Sequence, residues 1–215
     1  MAEDIYRLIR RIRFGNLDPR ELEQIYADHH DHYGIKLHLV QCPRFPVRSS
    51  LTILSELFTP DLVRVIGNTQ ANPFIRKSGE NEFILRYAKI PLGEKVSLLR
   101  RLPAGLLGQL TFEKDKRCLA AIINNPHCSE AVVINFITRS RGKKDFYDLL
   151  IDSKWIKRPG VIEAVLKDRY APIKAFQEVI PLLPLSRLEK MLRDPGLHES
   201  IKKNIRYYLN KRDKR

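Results

Sequence analysis

The chain repeats itself, and this constrains its fold more than any other feature. Segments 36–54 (KLHLVQCPRFPVRSSLTIL), 119–137 (LAAIINNPHCSEAVVINFI) and 162–180 (IEAVLKDRYAPIKAFQEVI) align without a gap. Each carries an apolar pair (Leu39-Val40, Ile122-Ile123, Val165-Leu166) and then a polar turn. A Pro or Ser follows at a fixed place (Pro46, Ser129, Pro172), and a new apolar segment begins. Residues 83–99 supply a fourth copy, with Ile84-Leu85 as the pair and Pro91 at the turn. The marker positions 46, 91, 129 and 172 are 45, 38 and 43 residues apart. A longer match joins 46–83 to 172–209. In it Leu54, Leu57, Leu62 and Ile66 pair with Ile180, Leu183, Leu188 and Leu192, and Ile75-Arg76-Lys77 pairs with Ile201-Lys202-Lys203. A unit of this length has too little interior to stand alone and must bury its apolar face against its neighbours.

Local signals within the units are helical. Thr59 and Pro60 predict an N-cap and a first helical position, and Asn72 and Pro73 repeat the pattern. Ser186 and Glu189 have the spacing of a capping box. No stretch alternates with period two for long enough to predict a sheet. Near the N-terminus, residues 2–13 predict an amphipathic helix with Ile5, Leu8, Ile9 and Ile12 on one face and Arg7, Arg10, Arg11 and Arg13 around it. Its shortness favours a capping role over a membrane-surface one. Asp18, Pro19 and Glu21 predict a second helix start, and Gly34 its end.

The turns NNPHCSEAVV (124–133) and CPRFPVRSSL (42–51) resemble those of bacterial HEAT-like repeat proteins, including the leucine-rich-repeat-variant kind. The resemblance covers most of residues 34–212. It implies a curved helical scaffold that binds proteins, and no reaction. The variant proteins can carry an iron–sulfur cluster on an N-terminal cysteine cluster. This chain lacks that cluster, so no cofactor is expected. The expected fold is all-α: a right-handed α-solenoid (HEAT/armadillo-like superhelix) of about four three-helix repeats plus an N-terminal cap. The expected layout is one solenoid domain over 1–215. It comprises a cap and partial repeat (1–41), repeats at 42–87, 88–125 and 126–168, and a last repeat with a basic tail (169–215). Its core is expected to hold the four apolar pairs together with Leu54, Leu62, Ile66, Leu98, Val133, Ile137, Ile180 and Leu188.

Composition bounds the partners. Lys and Arg number 39 against 25 Asp and Glu, a formal net charge of +14. Such a surplus favours a polyanion: nucleic acid, acidic lipid, or an acidic protein face. Three cysteines, Cys42, Cys118 and Cys128, form no C-x-x-C pair, which argues against a disulfide framework or a thiolate metal module. No apolar run approaches the length of a membrane span, and MAEDIYRLIRRIRF is not a secretory leader, so cytoplasmic residence is the expectation.

Signatures of phosphate loops, nucleophile elbows and zinc proteases are missing. The chain is therefore expected to be no enzyme, with no catalytic, cofactor or metal site. Histidines crowd residues 28–46, where Asp28 and His32 stand four apart beside His29, but two or three ligands without a second cluster seldom hold a metal. The candidate polyanion-binding residues are Arg76, Lys77, Arg139, Arg141, Lys143, Lys144, Lys154, Lys157, Arg158, Lys202, Lys203 and Arg206. Phe146, Tyr147 and Trp155 lie among them, and cations interleaved with aromatics suit phosphates and exposed bases. Aromatics at helical spacing also suit a buried face. The expected function is a non-enzymatic scaffold that binds a protein partner with an acidic surface. The alternative is a module binding nucleic acid without sequence specificity.

Overall fold

The structure, a computed structural model, describes residues 2–140, 144–168 and 170–212. It is all-helical, with no strand among the described residues. The first helices are α1 (Ala2–Phe14), α2 (Pro19–Asp28), α3 (Tyr33–Gln41), α4 (Val47–Glu56), α5 (Thr59–Gly67), α6 (Pro73–Tyr87) and α7 (Leu92–Leu99). Then come α8 (Ala104–Leu107), α9 (Lys116–Ile123), α10 (Glu130–Ser140), α11 (Lys144–Ile151), α12 (Pro159–Lys167), α13 (Ile173–Val179), α14 (Leu185–Leu192) and α15 (Glu199–Arg212). Short 3₁₀ turns lie at Lys154–Lys157 and Ile180–Leu182.

The chain divides into two compact units, Met1–Leu98 and Leu99–Arg215. The division falls inside the segment 88–125 expected as one repeat. In the first unit α1 and α2 pack on α3, α3 packs on α4 and α5, and α6 covers both α4 and α5. In the second, α10 lies against α8 and α12, α9 against α11, and α13 against α11, α12 and α15. Packing partners are thus close in sequence within each unit.

Helix starts recur at the columns the sequence marks. Positions 46, 91, 129 and 172 are each followed at once by a helix: α4 at Val47, α7 at Leu92, α10 at Glu130 and α13 at Ile173. The agreement extends to four successive helices. α3 to α6 begin at 33, 47, 59 and 73, and α12 to α15 begin at 159, 173, 185 and 199, a constant offset of 126 residues. The turns share chemistry as well. Asn68 and Asp194, equivalent by that offset, each accept the N–H two residues on, from Gln70 at 3.0 Å and Gly196 at 2.8 Å. Asn72 and His198 do the same with Phe74 at 2.9 Å and Ser200 at 3.3 Å. A side chain that folds back on its own turn competes with continued helix and ends or starts an element at a fixed residue.

Asn125, in the NNP turn, does more. Its Nδ2 donates to the carbonyls of Leu99 at 2.6 Å and Leu102 at 3.1 Å, and its Oδ1 accepts from His127 N–H at 2.6 Å. A buried amide therefore locks two chain segments of the second unit together.

Several local expectations are corrected. The Asp18 capping box forms as predicted, with Glu21 Oε2 accepting from Asp18 N–H at 2.9 Å. Gly34 does not end that helix. The helix stops at Asp28, and Gly34 lies in the first turn of α3. The break is set by His32, whose Nδ1 accepts from Ile35 N–H at 3.2 Å and caps α3. Thr59 and Ser186 are not caps, because both already lie inside their helices behind Phe58 and Pro184. α5 is instead steadied by Tyr33, whose hydroxyl accepts from Phe58 N–H at 3.1 Å and donates to Asp61 at 2.7 Å.

The expected core is buried except at one pair. Leu85 is 75% exposed, and Ile84 is half-buried. α6 instead buries Ile75, Gly79, Phe83 and Tyr87, spaced by four along one face. Leu85 sits two residues from both Phe83 and Tyr87, roughly 200° around the helix, and so points away.

Candidate anion-binding surfaces

The predicted basic residues divide between the two units. In the first, Lys77 is exposed and pairs with Glu80 at 2.7 Å, while Arg76 is half-buried with its Nε enclosed. In the second, Lys202 is buried, and its Nζ sits 3.0 Å from Glu199. Arg206 approaches the same carboxylate at 3.9 Å, and Lys203 is exposed. Lys202 is therefore part of the packing of α15 rather than of a binding face. Arg141 and Lys143 lie outside the described residues. Arg139, Lys144, Lys154, Lys157 and Arg158 are all exposed, and none pairs with a carboxylate among the described residues.

The aromatics of this second patch are not available to bases. Phe146, Tyr147 and Trp155 are buried. Phe146 stacks on Phe136 with ring centroids 5.4 Å apart. The Trp155 indole N–H donates to the Ile123 carbonyl at 3.0 Å, and the Tyr147 hydroxyl donates to Asp168. Lys154 Nζ sits 4.9 Å over the Trp155 ring. The aromatics form the floor and the cations the surface.

One of these cations stands where helix stability disfavours it. Arg158 is the N-cap of α12. A positive charge at the positive end of the helix dipole is unfavourable by about 0.3–1 kcal/mol. Lys154 and Lys157 fill the 3₁₀ turn just before Arg158.

A third cluster escaped the sequence reading. In the first unit, a groove of about 460 Å³ is lined by the C-terminal ends of α1 and α3, the turn after α3, and the end of α5. Arg13, Arg44 and Arg64 line it together with His38, Cys42, Phe14 and the amides of Gln41, Asn68 and Gln70. No carboxylate is among its lining residues. Arg44 is held by neutral acceptors, Asn16 Oδ1 and the Leu17 carbonyl, so its charge is undiminished. Arg64 reaches Asp61 at 3.1 Å, and Arg13 lies over the Phe14 ring at 5.4 Å. His38 reports the local field: burial, and then the Arg13 and Arg64 guanidiniums, hold its imidazole below the usual histidine range. The three arginines are too far apart in sequence to form a run. The one legible signal was His38, which stands in a column occupied by Ala121 and Ala164 elsewhere.

The histidine-rich stretch forms no metal cluster. Asp28 accepts from Gln24 at 2.8 Å, His32 caps α3, and His30 lies 3.2 Å from Asp31. No group of three or more metal-ligating side chains converges among the described residues. Nor is any helix there long and apolar enough to cross a membrane. Comparisons with protein families, with curated proteins and with solved structures find no match for the chain.

Proposed function

We propose that the chain is a non-enzymatic helical-repeat scaffold of the HEAT and armadillo kind, binding a protein partner through an acidic face of that partner. The shared helix columns support the repeat reading. The observation that carries the binding reading is the cationic surface at Lys144, Lys154, Lys157 and Arg158, which has no carboxylate partner among the described residues. Arg158 opposes the dipole of α12, so helix stability does not account for its placement. Burial of Phe146, Tyr147 and Trp155 removes the stacking platforms that single-stranded nucleic acid uses, which favours protein over single-stranded nucleic acid at this patch. The three free cysteines suit a reducing compartment such as the cytoplasm.

The test is affinity purification from the native cell, with and without nuclease, of the full chain and of a variant in which these four cations become Glu. A partner retained through nuclease and lost in the variant supports the reading. Retention abolished by nuclease supports nucleic-acid binding instead. In that case, affinity for random duplex DNA and RNA will fall steeply with salt.

A further inference from the structure

We infer that the groove bounded by α1, α3 and α5 is a binding site for a phosphate group. The inference is independent of the proposed partner, because it concerns other residues in the other unit.

The strongest counter-argument is electrostatic. The groove is built from the C-terminal ends of three helices, where cations are favoured without any ligand. Asp61 already pairs with Arg64 at 3.1 Å, which leaves Arg13 and Arg44 in the groove without an acid. Each helix end carries roughly −0.5 charge, so the three offset most but not all of these two guanidiniums. A surplus on the order of +0.5 remains, which a bound phosphate neutralises. Bringing like charges together without such a counter-ion costs stability, and here they arrive from three separate elements. Arg44 is positioned through neutral oxygens rather than an acid, which orients its guanidinium and leaves its charge in place. Guanidiniums present paired N–H donors that match phosphate oxygens.

Phe14 extends the argument to the rest of the ligand. It lines the groove while 77% exposed. Arg13 covers one face of its ring. The other face is exposed beside the phosphate position and suits the planar body of an organic phosphate such as a nucleotide. The groove's volume of about 460 Å³ falls within the range of small-molecule sites.

The experiment uses the His38 Cε1–Hε1 resonance of the full chain, followed in NMR titrations with inorganic phosphate, AMP and adenosine. A dianion seated between Arg13 and Arg64 cancels their field, so the His38 titration midpoint is expected to rise on saturation. Arg13→Gln with Arg64→Gln is expected to weaken binding at least tenfold, while Lys174→Gln, on an exposed position of α13 in the other unit, leaves it unchanged. AMP binding at least tenfold tighter than inorganic phosphate assigns the site to an organic phosphate held on Phe14. Equal affinities assign it to free phosphate. The inference is overturned if chloride at matched ionic strength gives the same shift, if adenosine binds as well as AMP, or if the double variant binds phosphate like the wild type.

Discussion

Replacing Asn125 with Ala tests whether the NNP turn is held by a side chain or by its backbone alone. The side chain makes three hydrogen bonds: to Leu99 O at 2.6 Å, to Leu102 O at 3.1 Å, and from His127 N–H at 2.6 Å. Each contributes about 1 kcal/mol net, and an orphaned buried partner costs more than the bond's net worth. Asn125 is only 4% exposed, so water does not readily replace it. The expected loss is about 2–4 kcal/mol in urea unfolding followed by circular dichroism. The adjacent Asn124 is the internal control. It is exposed and makes one bond, to Ala120 O at 2.9 Å, so Asn124→Ala is expected to cost about 0.5 kcal/mol or less. Asn125→Asp sharpens the test. One carboxylate oxygen keeps the His127 bond, while the other faces two carbonyls with no proton to donate. Its folded pKa is therefore raised, and the variant should be most stable at low pH and lose stability as pH rises. Equal losses for Asn124→Ala and Asn125→Ala, or a pH-independent Asn125→Asp, would refute the reasoning.

Other expectations follow from single contacts. A Cβ at Gly79 would meet Ile66 Cγ1 at 3.1 Å and Leu62 Cδ1 at 3.5 Å, so Gly79→Val should cost about 1–3 kcal/mol by overpacking α5 on α6, whereas Gly93→Val, with open space around it, should not. Tyr33→Phe removes the link between Phe58 N–H and Asp61 and should lower thermal stability by about 1–2 kcal/mol, measured by calorimetry. Burial pushes the Cys128 thiol up to about 11, and Cys118 is fully buried, so at pH 8 a thiol reagent should label Cys42 alone in the native chain and all three cysteines in urea. Burial and Asp168 raise the Tyr147 hydroxyl well above its ordinary value of 10.0. Its contribution to stability is present below about pH 10 and is lost as pH rises further, so Tyr147→Phe should flatten part of the alkaline loss seen by circular dichroism.

The helical fold and its punctuation were legible in the sequence because they rest on local chemistry. A Pro that cannot continue a preceding helix, or an Asn that folds onto its own turn, acts within three or four residues. That is why the helices at Val47, Glu130 and Ile173 start where the repeated Pro or Ser predicts. Leu85 was misplaced because the face of α6 is chosen by α4 and α5, and its adjacent apolar pair cannot say which member those helices cover. The basic patch at 138–160 was visible as a run, but whether its aromatics faced in or out was decided by partners such as Ile123 and Phe136, far away in sequence. The groove was hidden for the same reason. Arg13, Arg44 and Arg64 are brought to it by α1, the turn after α3, and α5, and their spacing carries no periodic signal.

The buried indole of Trp155 has an experimental consequence. It is the chain's single tryptophan, and it lies in the unit spanning Leu99–Arg215. Selective excitation of that ring therefore gives an optical gauge of this half alone, while far-ultraviolet dichroism sums over both. Recorded together on one sample, the two signals separate the melting of the residues around the arginine-lined groove from that of the residues around the cationic patch. A coincident transition would mean that the halves share one cooperative unit. A lag between the signals would let the stability of each be measured without cutting the chain.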